Sequence, residues 1–187
     1  AYTGGHFPQS FEFSSVGGWV VTLGSGQASS LYGDAADLVV SQEYVTPRGS
    51  FKTLEYPATA TGPKLNDIMK GSEGCFGVLV SVTLKIFEYF PDNSRQFTFM
   101  FPSFEAAVAA GRQISQGRFG MPAILRISDA EETDVALQMY GLDEGLLDKF
   151  MGYRGMKKGS RCLVMGQSEG EKRFAANVLG QVKKICR

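Results

Sequence analysis

One histidine, one tryptophan and three cysteines are all that 187 residues supply of the types on which much site chemistry depends. With His6 alone, a histidine-containing metal cluster, a zinc site of the HExxH type and most Ser-His or Cys-His pairs are hard to build. No metal site is expected. His6 stands beside Gly4 and Gly5, where a solvated loop residue is the expectation and a base the lesser alternative. Cys75, Cys162 and Cys186 are odd in number, far apart and in no CxxC pattern, so unpaired thiols in a reducing compartment are expected. Charge of one sign is missing too. Nineteen basic against nineteen acidic residues leave no global pull toward nucleic acid or an anionic membrane. No apolar run approaches the roughly 20 residues that cross a bilayer, and no secretory signal is visible. The expected location is cytoplasmic, or peripheral to a membrane in a longer parent protein.

What the chain does have is apolar content, 43% of residues, enough for one domain or two small ones. The rhythm changes near 90-FPDNS-94. Before it, glycine is dense and the β-branched runs 38-LVVSQEYVT-46 and 78-VLVSVTLKIF-87 predict strands. Between them, 47-PRGS-50 predicts a turn, 51-FKTLEY-56 a returning strand and 63-PKLNDIMK-70 a short helix. After it, strands over Gln96–Phe101, 122–128 and 160–167 alternate with helices over 104–115, about 130–140, 144–154 and 171–185. Ser103 is the expected cap of the first of these helices. The spacings 128-SDAE-131 and 168-SEGE-171 predict capping boxes for two others. The second half therefore reads as an α+β layer with helices on one sheet face, three strands being few for a free-standing sheet.

The stretch 71-GSEGCFGV-78 places three glycines, a glutamate and a serine between helix and strand. A turn is one reading. A loop whose backbone approaches a large flat ligand is the other, and a lone glycine loop does not decide between them. The order of motifs along the chain is more specific: FEFS, GGW, SGQ, YG, DLV, VTPRG, TGP and GSEG followed by GV. With these motifs, 9–49 and 61–87 resemble the FAD-linked oxidases of the vanillyl-alcohol oxidase and p-cresol methylhydroxylase type. That group includes D-2-hydroxyacid dehydrogenases, the glycolate oxidase D subunit and alkyldihydroxyacetonephosphate synthase. The stretch 125-LRISDAEET-133 resembles the start of the family's substrate-side cap.

The resemblance implies an α+β fold: residues 1–90 as the C-terminal part of a p-cresol-methylhydroxylase-type FAD-binding domain, its second subdomain, and 91–187 as the N-terminal part of an incomplete ferredoxin-like cap domain. It implies FAD held against backbone amides of three segments. The first is Gln9, Ser10, Phe11, Glu12, Phe13, Ser14 and Ser15. The second is Thr22, Leu23, Gly24 and Ser25, and the third is Glu73, Gly74, Cys75, Phe76, Gly77, Val78 and Leu79. Glycines at 71, 74 and 77 permit close backbone approach, and a row of N–H groups there suits an anion or carbonyl oxygen. Trp19 is expected to pack in the core and Arg48 to close a hairpin in solvent. For Arg126, inside a strand, two readings stand: an ion pair with Asp129 or Glu132, or a contact to the flavin or an anionic substrate.

The implied parent is an FAD-dependent oxidoreductase acting on CH–OH groups, with a small D-2-hydroxy acid as substrate and hydride transfer to the flavin. Relative to the family, the N-terminal FAD subdomain and the C-terminal part of the cap would lie outside residues 1–187, and the chain by itself is expected to be inactive. An alkyldihydroxyacetonephosphate-synthase-like flavoenzyme is the alternative, but the position of Ala58 in 57-PATATGP-63 carries a substrate-holding arginine in that branch, and alanine here tells against it. A non-catalytic binding module is the further alternative.

Overall fold

A computed structural model describes residues 1–56 and 58–187. The chain divides into two compact units, Ala1–Tyr89 and Phe90–Arg187, and no sheet runs from one into the other among the described residues.

In the first unit the strands are β1 (Tyr2–Thr3), β2 (Val39–Thr46), β3 (Gly49–Lys52), β4 (Val78–Leu84) and β5 (Phe87–Glu88). The helices are α1 (Val16–Val21), α2 (Ser29–Tyr32), α3 (Ala35–Leu38) and α4 (Leu65–Met69). β2 lies between β3 and β4, antiparallel to both. The hairpin closes with Thr46 opposite Gly49, where the Thr46 hydroxyl donates to Gly49 O at 2.8 Å and accepts from the exposed Arg48 amide. β3 ends at Lys52, four residues short of the expected strand, because Thr53 turns inward: its hydroxyl accepts from the Gln42 amide at 2.9 Å. A short β1–β5 ladder ties the N-terminus down through Thr3 opposite Phe87.

The middle of β2 is buried on the α4 side, and its contacts there are polar. The Tyr44 hydroxyl, fully buried, lies 3.1 Å from both Gln42 Oε1 and Met69 O. Gln42 Nε2 donates to Asn66 O, and Asn66 Nδ2 donates to Val40 O, both at 2.8 Å. Each buried polar atom thus has a partner, the condition under which such a network rigidifies instead of destabilising. Burial pushes the Tyr44 phenol above its ordinary value. The consequence is positional: α4, and the glycine loop that follows it, are fixed to β2.

The second unit contains β6 (Arg95–Phe101), α5 (Phe104–Gln116), β7 (Ile124–Ser128), α6 (Ala130–Met139), α7 (Leu146–Tyr153), β8 (Cys162–Ser168) and α8 (Lys172–Ile185). β8 is central, antiparallel to β6 and β7. Ile114 of α5 and Val178 and Val182 of α8 pack with Phe97 of β6, while Ala107 meets Cys162 and Val164 of β8. Ser103 caps α5, accepting from the Ala106 amide. The two other expected caps are corrected by one and three residues. Ser128 is the buried last residue of β7, so Asp129 caps α6 by accepting from the Glu132 amide at 2.8 Å. Ser168 ends β8 fully buried with its hydroxyl donating to Ala175 O at 3.1 Å, so Glu171 caps α8, accepting from the Arg173 and Phe174 amides. In both cases the strand claims the serine and an acidic residue takes the helix end, where negative charge is favoured.

Candidate functional site

The first two expected cofactor segments lie close in sequence and 47 residues, 26–72, separate the second from the third, yet the first unit gathers all three around α1. Ser15 caps the start of α1, its Oγ accepting from the Gly18 amide at 3.1 Å. Ser14 Oγ accepts from Trp19 Nε1 at 2.6 Å and donates to Ser10 O at 2.7 Å, so the turn over residues 8–13 is fastened to the helix side. At the other end, the Thr22 hydroxyl donates to Gly18 O and the Gly24 amide to Trp19 O. The third segment joins from α4: Gly71 N donates to Val20 O and Glu73 N to Val21 O, each at 3.1 Å.

Strain collects at this junction. Leu23 (φ 54°) and Glu73 (φ 46°) are two of only three non-glycine residues with left-handed backbone among the described residues. Such conformations cost about 1–3 kcal/mol each and persist where the surroundings over-determine them. Here they do: the Leu23 side chain fills the space a Cβ on Gly71 would need, with contacts from 2.7 Å. Gly74, by contrast, has φ 90° and nothing within 4 Å of the position of a Cβ. The Gly74 and Phe76 amides have no acceptor among the described residues, whereas Cys75 N returns to Ser72 O and Gly77 N to Gly74 O. The loop therefore offers two free amides and an open approach. In the three segments Phe11, Phe13, Leu23, Phe76 and Val78 are all exposed, Phe13 to 92%. Exposed apolar side chains beside free amides suit a ligand with a flat body and oxygen acceptors.

Gly77 plays another role. A Cβ there would stand 2.6 Å from Val45 O, so glycine is required for the start of β4 to pair with β2. Leu79 is half-buried over α1, with Cδ2 3.9 Å from where a Cβ on Gly17 would lie. Of the remaining residues in these segments, Gln9, Glu12, Ser25 and Cys75 are exposed. The exposed chemistry of the three segments is thus backbone amides and apolar surface, with Glu73 the one carboxylate of the 71–78 loop.

Two side chains differ from expectation. His6 is not a solvated loop residue: both ring nitrogens are buried without a hydrogen-bond partner, and the ring meets Trp19 edge-on at 4.9 Å. Burial lowers its pKa, while the charge of Asp34 opposes the shift. Trp19 itself is half-buried, held by Ser14 as much as by packing. Arg126 is exposed on β7 and pairs with Glu132 of α6, so its guanidinium is already engaged.

Residues that sequence reasoning missed lie in both units. The Leu23–Glu73 pair carries no sequence signal, because neither type announces positive φ. Arg161 is the second case. It is fully buried, with Nε 2.8 Å from Asp134 of α6 and Nη1 2.6 Å from Asp148 of α7. The run 160-SRCLVMGQ-167 shows only an arginine before an apolar stretch.

Residues 1–55 match the family of FAD binding domains. The chain is 42% identical over 132 residues to alkyldihydroxyacetonephosphate synthase of Caenorhabditis elegans, across 70% of this chain and 22% of that protein. It is 35% identical over 132 residues to the FAD-linked oxidoreductase YgcU of Escherichia coli, across 70% of this chain and 27% of that one. It is 30% identical over 112 residues to the mitochondrial D-lactate dehydrogenase [cytochrome] of Arabidopsis thaliana, across 55% and 20%. A solved alkyldihydroxyacetonephosphate synthase superposes with a TM-score of 0.81 at 32% identity, over 98% of this chain and 34% of that one. The chain thus spans about a fifth to a third of the length of these relatives.

Proposed function

We infer from this chain's membership of the FAD-linked oxidase family that the whole protein is a flavoenzyme oxidising a small D-2-hydroxy acid to the 2-keto acid. In this reading residues 1–90 form the second subdomain of the FAD-binding domain and 91–187 the N-terminal part of the substrate cap. FAD, when bound, supplies the hydride acceptor. The chain's own part is to bind and orient it. The Gly74 and Phe76 amides donate to its oxygen acceptors, and Glu73 accepts from its hydroxyl groups. Phe13, Leu23, Phe76 and Val78 cover its apolar faces. The observation that carries the proposal is the meeting of Leu23 and Glu73, both with left-handed backbone, at the C-terminal end of α1 beside these free amides. Arg126 would serve a substrate carboxylate only by releasing Glu132.

One observation favours a second reading, that of an alkyldihydroxyacetonephosphate-synthase-like enzyme: the 42% identity to a relative of that name. Ala58 argues against it, since alanine cannot hold an anion. Anaerobic mixing of the whole protein with D-lactate separates the two. The first reading predicts bleaching of the flavin by D-lactate and none by L-lactate. No bleaching by any D-2-hydroxy acid, with alkyl exchange on an acylated dihydroxyacetone phosphate, would establish the second.

A further inference from the structure

The loop that carries the free amides, 71-GSEGCFGV-78, is held from two sides within the first unit. On one side it hangs from α1, through the bonds from the Gly71 and Glu73 amides to Val20 O and Val21 O. On the other side its entry is held by β2. The Tyr44 hydroxyl reaches Met69 O, two residues before Gly71, at 3.1 Å, and Gln42 Oε1 at the same distance. One phenolic proton thus serves two acceptors, the end of α4 and a strand side chain. Gln42 completes the frame, because its Nε2 donates to Asn66 O while Asn66 Nδ2 donates to Val40 O. Gln42 and Tyr44 stand at alternate positions of β2 and so face α4 from the same side of the strand. Ser72, inside the loop, is buried, and its Oγ completes no hydrogen bond among the described residues. It faces the phenol nonetheless: burial pushes the Tyr44 pKa up, and the Ser72 hydroxyl works against that rise. A phenylalanine at position 44 would fill nearly the same volume without burying a hydroxyl, which is unfavourable unless bonded. The oxygen is therefore the part of this side chain that packing does not explain.

We propose that Tyr44 is a positioning residue for the cofactor: its hydroxyl, bonded to Met69 O and facing Ser72, sets where the Gly74 and Phe76 amides point. The inference rests on the reading that these two amides hold FAD. Tyr44 is fully buried, so it acts through the backbone of 69–74 and not by contact with the ligand. Amides that must meet fixed acceptors lose binding when their backbone wanders, because hydrogen bonds weaken steeply as the angle closes. Holding them in place before the ligand arrives removes part of the ordering cost of binding. A bond that served stability alone would lower the melting point of the unit and leave the flavin on folded molecules unchanged.

The test is the rate at which the whole protein releases FAD on dilution, followed by the rise of free-flavin fluorescence. Native protein is compared with Tyr44→Phe, Ser72→Ala and Ser41→Ala. Tyr44→Phe keeps the ring and removes the hydroxyl; release should be about tenfold faster, the net effect of one buried hydrogen bond. Ser72→Ala should speed release about threefold and add little to Tyr44→Phe in the double variant, because both act through the same contact. Ser41→Ala removes another buried hydroxyl from β2, one that donates to Glu55 Oε1 at 3.3 Å and not to the loop. It should lower the melting point, read from Trp19 emission, and leave release unchanged. If Tyr44→Phe yields no folded protein, Ser72→Ala decides, since its Oγ has no completed bond to lose. Release at the native rate from the folded variants, or equal acceleration by Ser41→Ala, would overturn the proposal. A native protein that retains no FAD would overturn the flavoenzyme reading with it, whereas FAD held equally by native protein and Tyr44→Phe would sink this inference alone.

Discussion

Alanine at Gly74 and at Gly77 should have different consequences, although both glycines have positive φ in one loop. At Gly74 the new methyl group meets nothing within 4 Å, so only the backbone conformation at φ 90° is penalised. That penalty is about 1–2 kcal/mol for a residue with a Cβ. At Gly77 the same kind of penalty applies at φ 144°, and the methyl group would also lie 2.6 Å from Val45 O and 3.0 Å from Thr46 Cγ2. Relief requires β2 to retreat by most of an ångström, at the point where Val45 pairs with Val78. Loss of a ladder hydrogen bond adds about 1 kcal/mol, so Gly77→Ala should cost about 2–4 kcal/mol against about 1–2 for Gly74→Ala. For a unit of this size each kcal/mol lowers the midpoint by about 4–8 °C. Trp19, the single tryptophan, lies in the first unit, so its emission during heating reports on that unit alone. Equal midpoints for the two variants would refute the assignment of Gly77 to strand pairing and of Gly74 to an open approach.

Other outcomes follow from buried groups. Arg161→Met leaves the carboxylates of Asp134 and Asp148 without their buried partner and should destabilise the second unit by about 3–5 kcal/mol, read as a lower urea midpoint. His6 has its pKa lowered from 6.5 by burial, so the unfolded chain binds the proton more readily. The stability this contributes is complete above pH 6.5 and lost as pH falls through the folded value; His6→Phe should flatten that decline in melts monitored by Trp19. All three cysteines are free, and labelling with a thiol reagent should proceed from exposed Cys75 to half-buried Cys186 to buried Cys162, whose thiol burial pushes up. Labelling of Cys162 first would contradict the packing of β8.

Much of the fold was legible because periodicity and burial agree. The run 171–185 alternates at helical spacing and buries Ala175, Val178 and Val182, and the β-branched runs at 38–46 and 78–87 pair as β2 and β4. What could not be read was decided by contacts remote in sequence. Ser128 and Ser168 have the right spacing for caps, but strand burial consumes them. His6 looks solvated beside two glycines until Trp19 is brought against it. The candidate segments were marked in the sequence by glycine motifs in a fixed order, and the fold brings those segments together around α1. Their strained pair was not marked, because positive φ at Leu23 and Glu73 is imposed by Gly71 packing and by the bond from Glu73 N to Val21 O, neither of which has a local signature.

The most direct measurement is the ratio of flavin absorbance to polypeptide in the whole protein, native and with Gly74→Val, taken on the folded fraction of each. Gly74 tolerates a side chain sterically, so most of the variant should fold while the branched group blocks the approach to the Gly74 and Phe76 amides. The account predicts near-stoichiometric FAD in the native protein and loss of most of it in the variant. An unchanged ratio in folded Gly74→Val protein would show that 71-GSEGCFGV-78 is a turn with no part in holding the cofactor.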